Sequence, residues 1–206
     1  GTIKSGDLLI QNGKIKAIGK GFKVPAGAKI IDGTGKFVMP GIIDAHSHLA
    51  CDGGLNESTE PVAAECNVYD VINNTDSGIK WALAGGVTCI NTMHGSANPI
   101  GGLVATLKMR WGKSAEELKF AGAKQQIKFA LGENPRRVHA EKSVATRLGV
   151  ADTLRQTFVD GQKYRKLWDD YNKAKAAGQN VVPPRKDLRL ESIAGILRGD
   201  IWVQCH

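Results

Sequence analysis

The chain has 206 residues, a formal net charge of +8 and 42% hydrophobic residues. This composition is typical of a globular protein with enough apolar residues to bury a sizeable core. No run of residues is long and apolar enough to cross a bilayer, so we do not expect this chain to span a membrane. The basic excess comes without a recognition helix or an aromatic-interleaved basic motif, so we expect no nucleic-acid partner; salt-sensitive retention of DNA or RNA would favour that alternative.

The cysteines and the first residues bear on the compartment. None of the four cysteines forms a Cys-x-x-Cys pair, and their spacing predicts neither a zinc knuckle nor a disulfide framework. Free thiols fit a reducing compartment. The start, GTIKS, has neither a signal-peptide pattern nor an initiator Met, so we expect a chain that was clipped or processed upstream. The cytoplasm and, after removal of a signal, the periplasm therefore both stay open.

Residues 1–40 are predicted to form a small antiparallel β unit. Short segments of strand character recur between tight turns, at 7–10, 14–18, 29–32 and 36–39. Asn12-Gly13 supplies the positive φ values that a type I′ hairpin turn needs. Pro40-Gly41 then ends the pattern.

From Gly41 onward, strands and helices alternate. Strands are predicted at 42–48, 87–91, 127–131 and 201–206, and helices at 77–84, 114–119, 143–177 and 187–197. This alternation predicts a parallel sheet with helical crossovers, in either an α/β barrel or an open doubly wound sheet. A (β/α)₈ barrel needs eight strands and about 250 residues, so residues 41–206 would make roughly half of one.

The strongest candidate for chemistry is His46-Ser47-His48, at the end of the first strand of the α/β part. Residues i and i+2 of a strand point to the same side, so the two imidazoles converge. They do so at the C-terminal end of the strand, where barrel enzymes build their sites. Because imidazole is a preferred ligand of zinc and related metals, His46 and His48 predict a metal site.

The motifs resemble those of the amidohydrolase superfamily, whose members open with a β-sandwich segment followed by a PGxIDxHxH strand. The matching stretches are IKAI at 15–18, IDGTGK at 31–36, PGIIDAHSH at 40–48, GVTC at 86–89 and KFALGENP at 128–135. The last of these resembles the imidazolonepropionase-like subset. The resemblance covers nearly the whole chain. It implies a β-sandwich segment at 1–40 and the first half of a TIM-type barrel at 41–206.

The resemblance also implies a set of metal ligands. His46 and His48 match the two histidines that hold one metal, and His206 matches the ligand histidine that ends the fifth barrel strand. A carboxylate, from a glutamate or a carboxylated lysine, usually bridges two metals; Glu133 is predicted for this role, with Lys128 as the alternative. The cofactor is predicted to be one or two divalent ions, with zinc first and manganese or iron as alternatives. His94 is predicted either to line the substrate cleft or to be a structural loop histidine, and His139 is predicted to lie at the surface.

The function implied by the resemblance is metal-dependent hydrolysis of carbon–nitrogen bonds in non-peptide or cyclic amides, through metal-activated water. The family's sixth-strand histidine and its eighth-strand aspartate, the general base, have no counterpart, so we expect an incomplete N-terminal portion that needs the remaining half of the barrel or a complementary chain. A small-molecule substrate is expected, and a homo-oligomer is compatible with the sequence. The alternatives are a metal-dependent deaminase or lactonase and a non-catalytic binding module on the same fold.

Overall fold

The computed structural model describes residues 2–142 and 144–206. The chain divides into two compact units, Gly1–Pro40 and Gly41–His206. In the first unit, strands β1 (Asp7–Gln11) and β2 (Lys14–Gly19) pair in antiparallel register. Asn12 and Gly13 join them with φ angles of 52° and 70°, which confirms the hairpin and its pair of left-handed residues.

The prediction of two further strands in this unit, at 29–32 and 36–39, is wrong. Both segments are irregular, and the side chains of Ile31 and Phe37 are 81% and 95% exposed. Apolar alternation predicts which side of a strand is buried, but a strand also needs a neighbour for its backbone N–H and C=O groups. Among the described residues, these segments have no strand partner.

The described residues of the second unit form five strands, five α-helices and one short 3-10 helix, Val68–Val71. The strands and α-helices are, in chain order, β3 (Ile42–Ser47), α1 (Ser77–Ala84), β4 (Val87–Thr92), β5 (Ile100–Lys108), α2 (Ala115–Leu118), β6 (Gln126–Phe129), α3 (Glu133–His139), α4 (Arg147–Ala176), α5 (Leu188–Arg198) and β7 (Trp202–Cys205). The four predicted strands and four predicted helices are found within a few residues of the expected bounds. Strand β5 and helix α3 were not predicted, and residue 143 of the predicted long helix lies outside the described residues.

The sheet is mixed rather than parallel. Its strand order is β3-β4-β5-β6-β7; β3 pairs parallel with β4 and β6 with β7, while β5 is antiparallel to both of its neighbours. The prediction of an all-parallel sheet is therefore wrong at β5. A parallel connection requires a crossover of about a dozen residues or more, and the segment 93–99 between β4 and β5 is too short for one.

The sheet is curled, so that its two edge strands approach each other. His46 lies in β3 and His206 directly follows β7, yet their ring centroids are 5.4 Å apart. A flat five-stranded sheet would separate its edges by several strand spacings of about 4.8 Å each. The curl gives the second unit the form of a half-barrel.

Local signals explain where the helices begin and end. Helix α2 starts with a capping box, in which Ser114 and Glu117 bond reciprocally to each other's backbone N–H groups. Helix α5 is capped by the Asp187 side chain and ends at Gly199, whose φ of 81° is accessible to glycine at little cost. In the described part of the chain, no helix has both the length and the apolar character that a bilayer crossing requires.

The core consists of two buried apolar clusters, both on the face of the central strands opposite the one that carries Lys128. One buried cluster joins α1 to β4 and β5, and includes Ile79, Ile90 and Leu107. A second joins β5 and β6 to the helical layer of α4 and α5, and includes Ile127 and Ile193. Burial of these apolar side chains is the main term that holds the sheet in its curled form.

The α4–α5 contact depends on a glycine. A Cβ atom added to Gly161 would lie 2.4 Å from Ile193 Cγ2, far inside van der Waals contact. We expect Gly161→Ala to lower the free energy of unfolding by about 1–3 kcal/mol from overpacking, although alanine in an exposed helix would raise it by about 0.5–1 kcal/mol. Urea unfolding measures the change.

Ile193→Ala is the matched control, since it removes the atom that clashes. The double variant should lose less free energy than the two single variants lose together. Additive losses would show that the two residues do not compete for one space.

Candidate metal centre

Three imidazole rings meet where the two edge strands of the curled sheet end. His46 lies in β3 and His48 follows it, with ring centroids 5.4 Å apart and planes at 85°. The intervening Ser47 is only 5% exposed and points to the opposite side, as strand geometry requires. His206, directly after β7, places its ring 5.4 Å from that of His46. The structure therefore brings together three of the four predicted metal ligands.

A buried lysine completes this group. Lys128 lies in β6, is 1% exposed, and places its Nζ atom 3.3 Å from His46 Nε2. Burial lowers the pKa of the Lys128 amine, because a charged group is poorly solvated there. Among the described residues, no carboxylate pairs with this amine. Burial also lowers the pKa of His46, with the positive charge of Lys128 as the next cause.

Hydrogen bonds define which ring nitrogens face the centre. His48 Nδ1 lies 2.8 Å from the backbone oxygen of Met93, which can only accept, so Nδ1 carries the proton and donates it. His48 Nε2 therefore bears a lone pair. His206 Nδ1 lies 2.9 Å from Ser96 Oγ, a hydroxyl that can either donate or accept. For His48 the nitrogen available to a metal is consequently Nε2, whereas for His206 it depends on whether the Ser96 hydroxyl donates or accepts.

The histidines alone do not make a closed metal site. Within residues 2–142 and 144–206, no three His, Cys, Asp or Glu side chains are placed to hold one ion. The fourth polar group of the cluster is the Lys128 amine, which is not an anionic ligand in its ordinary form. A metal at this position would therefore need a further donor in addition to the imidazoles.

Glu133, predicted to bridge two metals, is placed differently from the other ligand candidates. It begins helix α3, its side chain is 62% exposed, and it pairs with Arg136 one turn later on the same helix. Hydrogen bonding to Arg136 lowers the pKa of the Glu133 carboxyl. The structure shows an ion pair at the helix start, and a ligand role for Glu133 stays a prediction.

His94, predicted to line the substrate cleft, is 1% exposed and bonded at both ring nitrogens. Its Nε2 accepts from the backbone N–H of Glu57 at 2.9 Å, so its Nδ1 carries the proton and donates to the Gly95 carbonyl. Burial lowers the pKa of His94, against the opposing effect of these backbone bonds. Both ring nitrogens of His94 are therefore hydrogen-bonded to backbone groups, and its contact with substrate stays a prediction. His139, expected at the surface, is fully buried in α3.

Sequence reasoning missed a row of polar side chains that crosses the sheet. Thr106 of β5 donates to Asn91 of β4, Asn91 donates to Gln126 of β6, and Gln204 of β7 donates to Gln126. Gln126 lies two residues before Lys128, and Gln204 two residues before His206, so the row shares a face with the centre. The sequence did carry a signal for this row, because Gln126 and Gln204 each lie two residues before a residue of the site.

A solved structure is similar to this fold over nearly its full extent. It is an amidohydrolase from Thermotoga maritima MSB8, 35% identical in sequence, with a TM-score of 0.85. The similar region covers 97% of this chain and 52% of that one. This chain therefore spans about half the length of its solved relative.

Curated relatives extend the same similarity. The amidohydrolase tasK of Hapsidospora irregularis is 27% identical over 226 residues, which cover 98% of this chain and 23% of that protein. The dihydroorotase of Trichlorobacter lovleyi is 41% identical over 87 residues, 42% of this chain and 17% of its own length. The dihydroorotase of Aquifex aeolicus is 38% identical over 94 residues, 46% and 18% respectively. No family model matches the chain.

These similarities confirm the resemblance found in the motifs, to proteins named amidohydrolase and dihydroorotase. The chain spans a quarter or less of the length of these curated relatives.

The buried His94 should make stability depend on pH. Its folded-state pKa is lowered from 6.5, so on acidification the unfolded state binds the proton first. The free energy of unfolding should therefore fall as pH decreases through about 6.5. Urea unfolding at about pH 7.5 and about pH 5.5 measures this loss.

His94→Gln supplies the control, since glutamine offers an acceptor for the Glu57 amide but does not titrate. We expect this variant to lose less free energy between the two pH values than the wild type does. His139 titrates in both proteins and cancels in the difference. An equal loss in the two proteins would contradict the assignment to His94.

Proposed function

We propose that this chain supplies the metal-binding half of a metal-dependent hydrolase that cleaves carbon–nitrogen bonds in small non-peptide or cyclic amides. The observation that carries the proposal is the convergence of His48, His206 and the buried Lys128 on His46. The relatives named amidohydrolase and dihydroorotase support the same bond class. The half-barrel form and the similarity to the Thermotoga structure support a complete TIM-type barrel for the whole enzyme.

The donor set fits a divalent metal, with zinc as the first choice. Neutral imidazole binds zinc, and the bond from His48 Nδ1 to the Met93 carbonyl leaves Nε2 free to do so. His46 Nε2 faces the Lys128 amine, so it too presents a lone pair toward the middle of the cluster. His46 and His48 would hold one ion, and His206 would hold a second.

We place the bridging ligand at Lys128 rather than at Glu133. Glu133 is exposed and paired with Arg136, whereas the Lys128 amine is buried beside His46 without a carboxylate partner. A lowered pKa favours the neutral amine, which is the form that adds to carbon dioxide. That reaction forms a nitrogen–carbon bond, releases one proton and gives a carbamate anion. The product would supply the anionic oxygen ligands that the imidazoles lack.

The chemistry then divides between the metal and the residues of this chain. When bound, the metal supplies Lewis acidity that polarises the substrate carbonyl and activates a water molecule. The three histidines and Lys128 would hold the ions in place and would carry no proton. The resemblance assigns proton transfer to an aspartate at the eighth barrel strand.

The remaining barrel strands would pair with β3 and β7. Both are edge strands, and their exposed apolar side chains include Ile43 and Trp202, at 68% and 60% exposure. An exposed sheet edge presents unpaired backbone groups that a neighbouring strand can satisfy. We therefore propose that the rest of the protein, or a complementary chain, closes the barrel here and forms most of the substrate cleft.

Metal content tests the proposal directly. We expect the purified chain, loaded with excess zinc and desalted, to retain zinc in stoichiometric amount by mass spectrometry. The His46→Ala/His48→Ala double variant should lose at least the ion that these two imidazoles would hold, and so retain less zinc than the wild type. Circular dichroism should show both proteins folded. A folded wild type without zinc would contradict metal binding by this chain and favour the non-catalytic binding module.

A second comparison separates the two candidates for the bridging ligand. Lys128→Met keeps the aliphatic volume but cannot form a carbamate, so we expect it to bind less than half of the wild-type zinc. Glu133→Gln should bind as the wild type does, since it loses only a surface ion pair. Carbon-13 NMR with labelled bicarbonate should give a carbamate signal in the wild type and in Glu133→Gln alone. The reverse pattern would assign the bridge to Glu133.

A further inference from the structure

Two of the proposed ligands, from opposite edges of the sheet, are held by one short segment. The segment Met93–Ser96 follows β4. Its first residue accepts a hydrogen bond from His48, which follows β3, and its last residue bonds to His206, which follows β7. In the described sheet, β3 and β7 are the two edge strands, so no strand is a neighbour of both. The contacts to the two histidines are made by the segment after β4.

The segment itself is rigidly fixed. His94, within it, donates to the Gly95 carbonyl and accepts from the Glu57 amide. The side chain of Asn98, just beyond, is fully buried and donates to the carbonyls of Glu57 and Glu60. A Cβ atom on Gly101 would come within 2.9 Å of the His94 ring, so β5 packs directly against it. The backbone of the segment therefore has little freedom to move.

We infer that Ser96 is a positioning residue that accepts a hydrogen bond from His206 Nδ1 and so presents the Nε2 lone pair of His206 to the metal centre. This inference rests on the proposed metal-binding function. The Met93 carbonyl imposes the same tautomer on His48, because it offers no proton. Ligand histidines almost always donate their other ring N–H to an acceptor, which fixes the tautomer and the ring orientation.

The role of Ser96 differs from that of Met93 in a way that can be measured. A backbone carbonyl stays when the side chain is changed, whereas the Ser96 hydroxyl is lost on substitution by alanine. Without an acceptor at Nδ1, the neutral His206 ring should return toward the Nε2–H tautomer that free histidine favours. That tautomer carries a proton on the nitrogen that must bind metal. His48 keeps its partner and serves as an internal control.

The first test is nitrogen-15 NMR of the metal-free chain at alkaline pH, where the rings are neutral. We expect His206 and His48 of the wild type to be mainly the Nδ1–H tautomer. In Ser96→Ala, His206 alone should move toward Nε2–H, and Ser96→Thr, which keeps the hydroxyl, should restore the wild-type signal. A wild-type His206 in the Nε2–H form, or a His206 signal unchanged in Ser96→Ala, would overturn the inference.

The second test is zinc affinity by competition with a chelator. Ser96→Ala should bind zinc about 10-fold or more weakly, and Ser96→Thr and Ser58→Ala should stay near wild type. Ser58 is a matched control, since its contact in this region is made by its backbone carbonyl, with Lys142. Zinc binding that fails in the wild type would contradict the proposed function, while the tautomer measurement would still decide the role of Ser96. Weaker zinc binding by Ser58→Ala would instead indicate that substitutions in this region disturb the site in general, and would count against a specific role of Ser96.

Discussion

The curl of the five-stranded sheet is the constraint on which the site depends. His46 and His206 belong to the first and last strands of the sheet, and only strong curvature brings their rings within 5.4 Å. The curvature is held by apolar side chains on the outer face, where α4 and α5 pack on β5 and β6. Substitutions in α4 or α5 would therefore change the distance between His46 and His206 by changing the curvature of the sheet, although neither helix carries a proposed ligand.

The polar character of the inner face follows from the same geometry. Curvature brings β4, β6 and β7 close enough for Asn91, Gln126 and Gln204 to bond to one another. These three amides are half-buried, and a shift of one residue in strand register would turn them to the other face, so their mutual hydrogen bonds require this register. Gln126 precedes Lys128 by two residues, and Gln204 precedes His206 by two. The register in which the two glutamines bond to each other therefore also places Lys128 and His206 side by side on the same face of the sheet.

The site could be predicted from sequence where a local pattern sufficed. The His46–His48 pair follows from strand periodicity, and His206 was found because the resemblance implies a ligand histidine at the end of a strand of this kind. Lys128 was placed second to Glu133, since sequence shows neither burial nor ion pairing. In the structure Lys128 is 1% exposed, while Glu133 begins α3 and pairs with Arg136. The burial of Lys128 is a consequence of tertiary packing, which propensity does not encode. The Glu133–Arg136 pair is local and follows from helix α3, which was not predicted.

The strand that sequence reasoning missed is also the one that organises the centre. Gly101 and Gly102 follow the first residue of β5 and weaken its strand pattern. Both are needed, since a Cβ at Gly102 would lie 2.8 Å from the Cys66 carbonyl oxygen and one at Gly101 would lie 2.9 Å from the His94 ring. The short segment before β5 cannot make a parallel crossover, so the chain reverses at the C-terminal end of β4. A helical crossover would have carried the chain away from this end of the sheet. The reversal keeps Met93 and Ser96 there, beside His48 and His206, so the antiparallel strand and the fixed orientation of the two imidazoles have one structural origin.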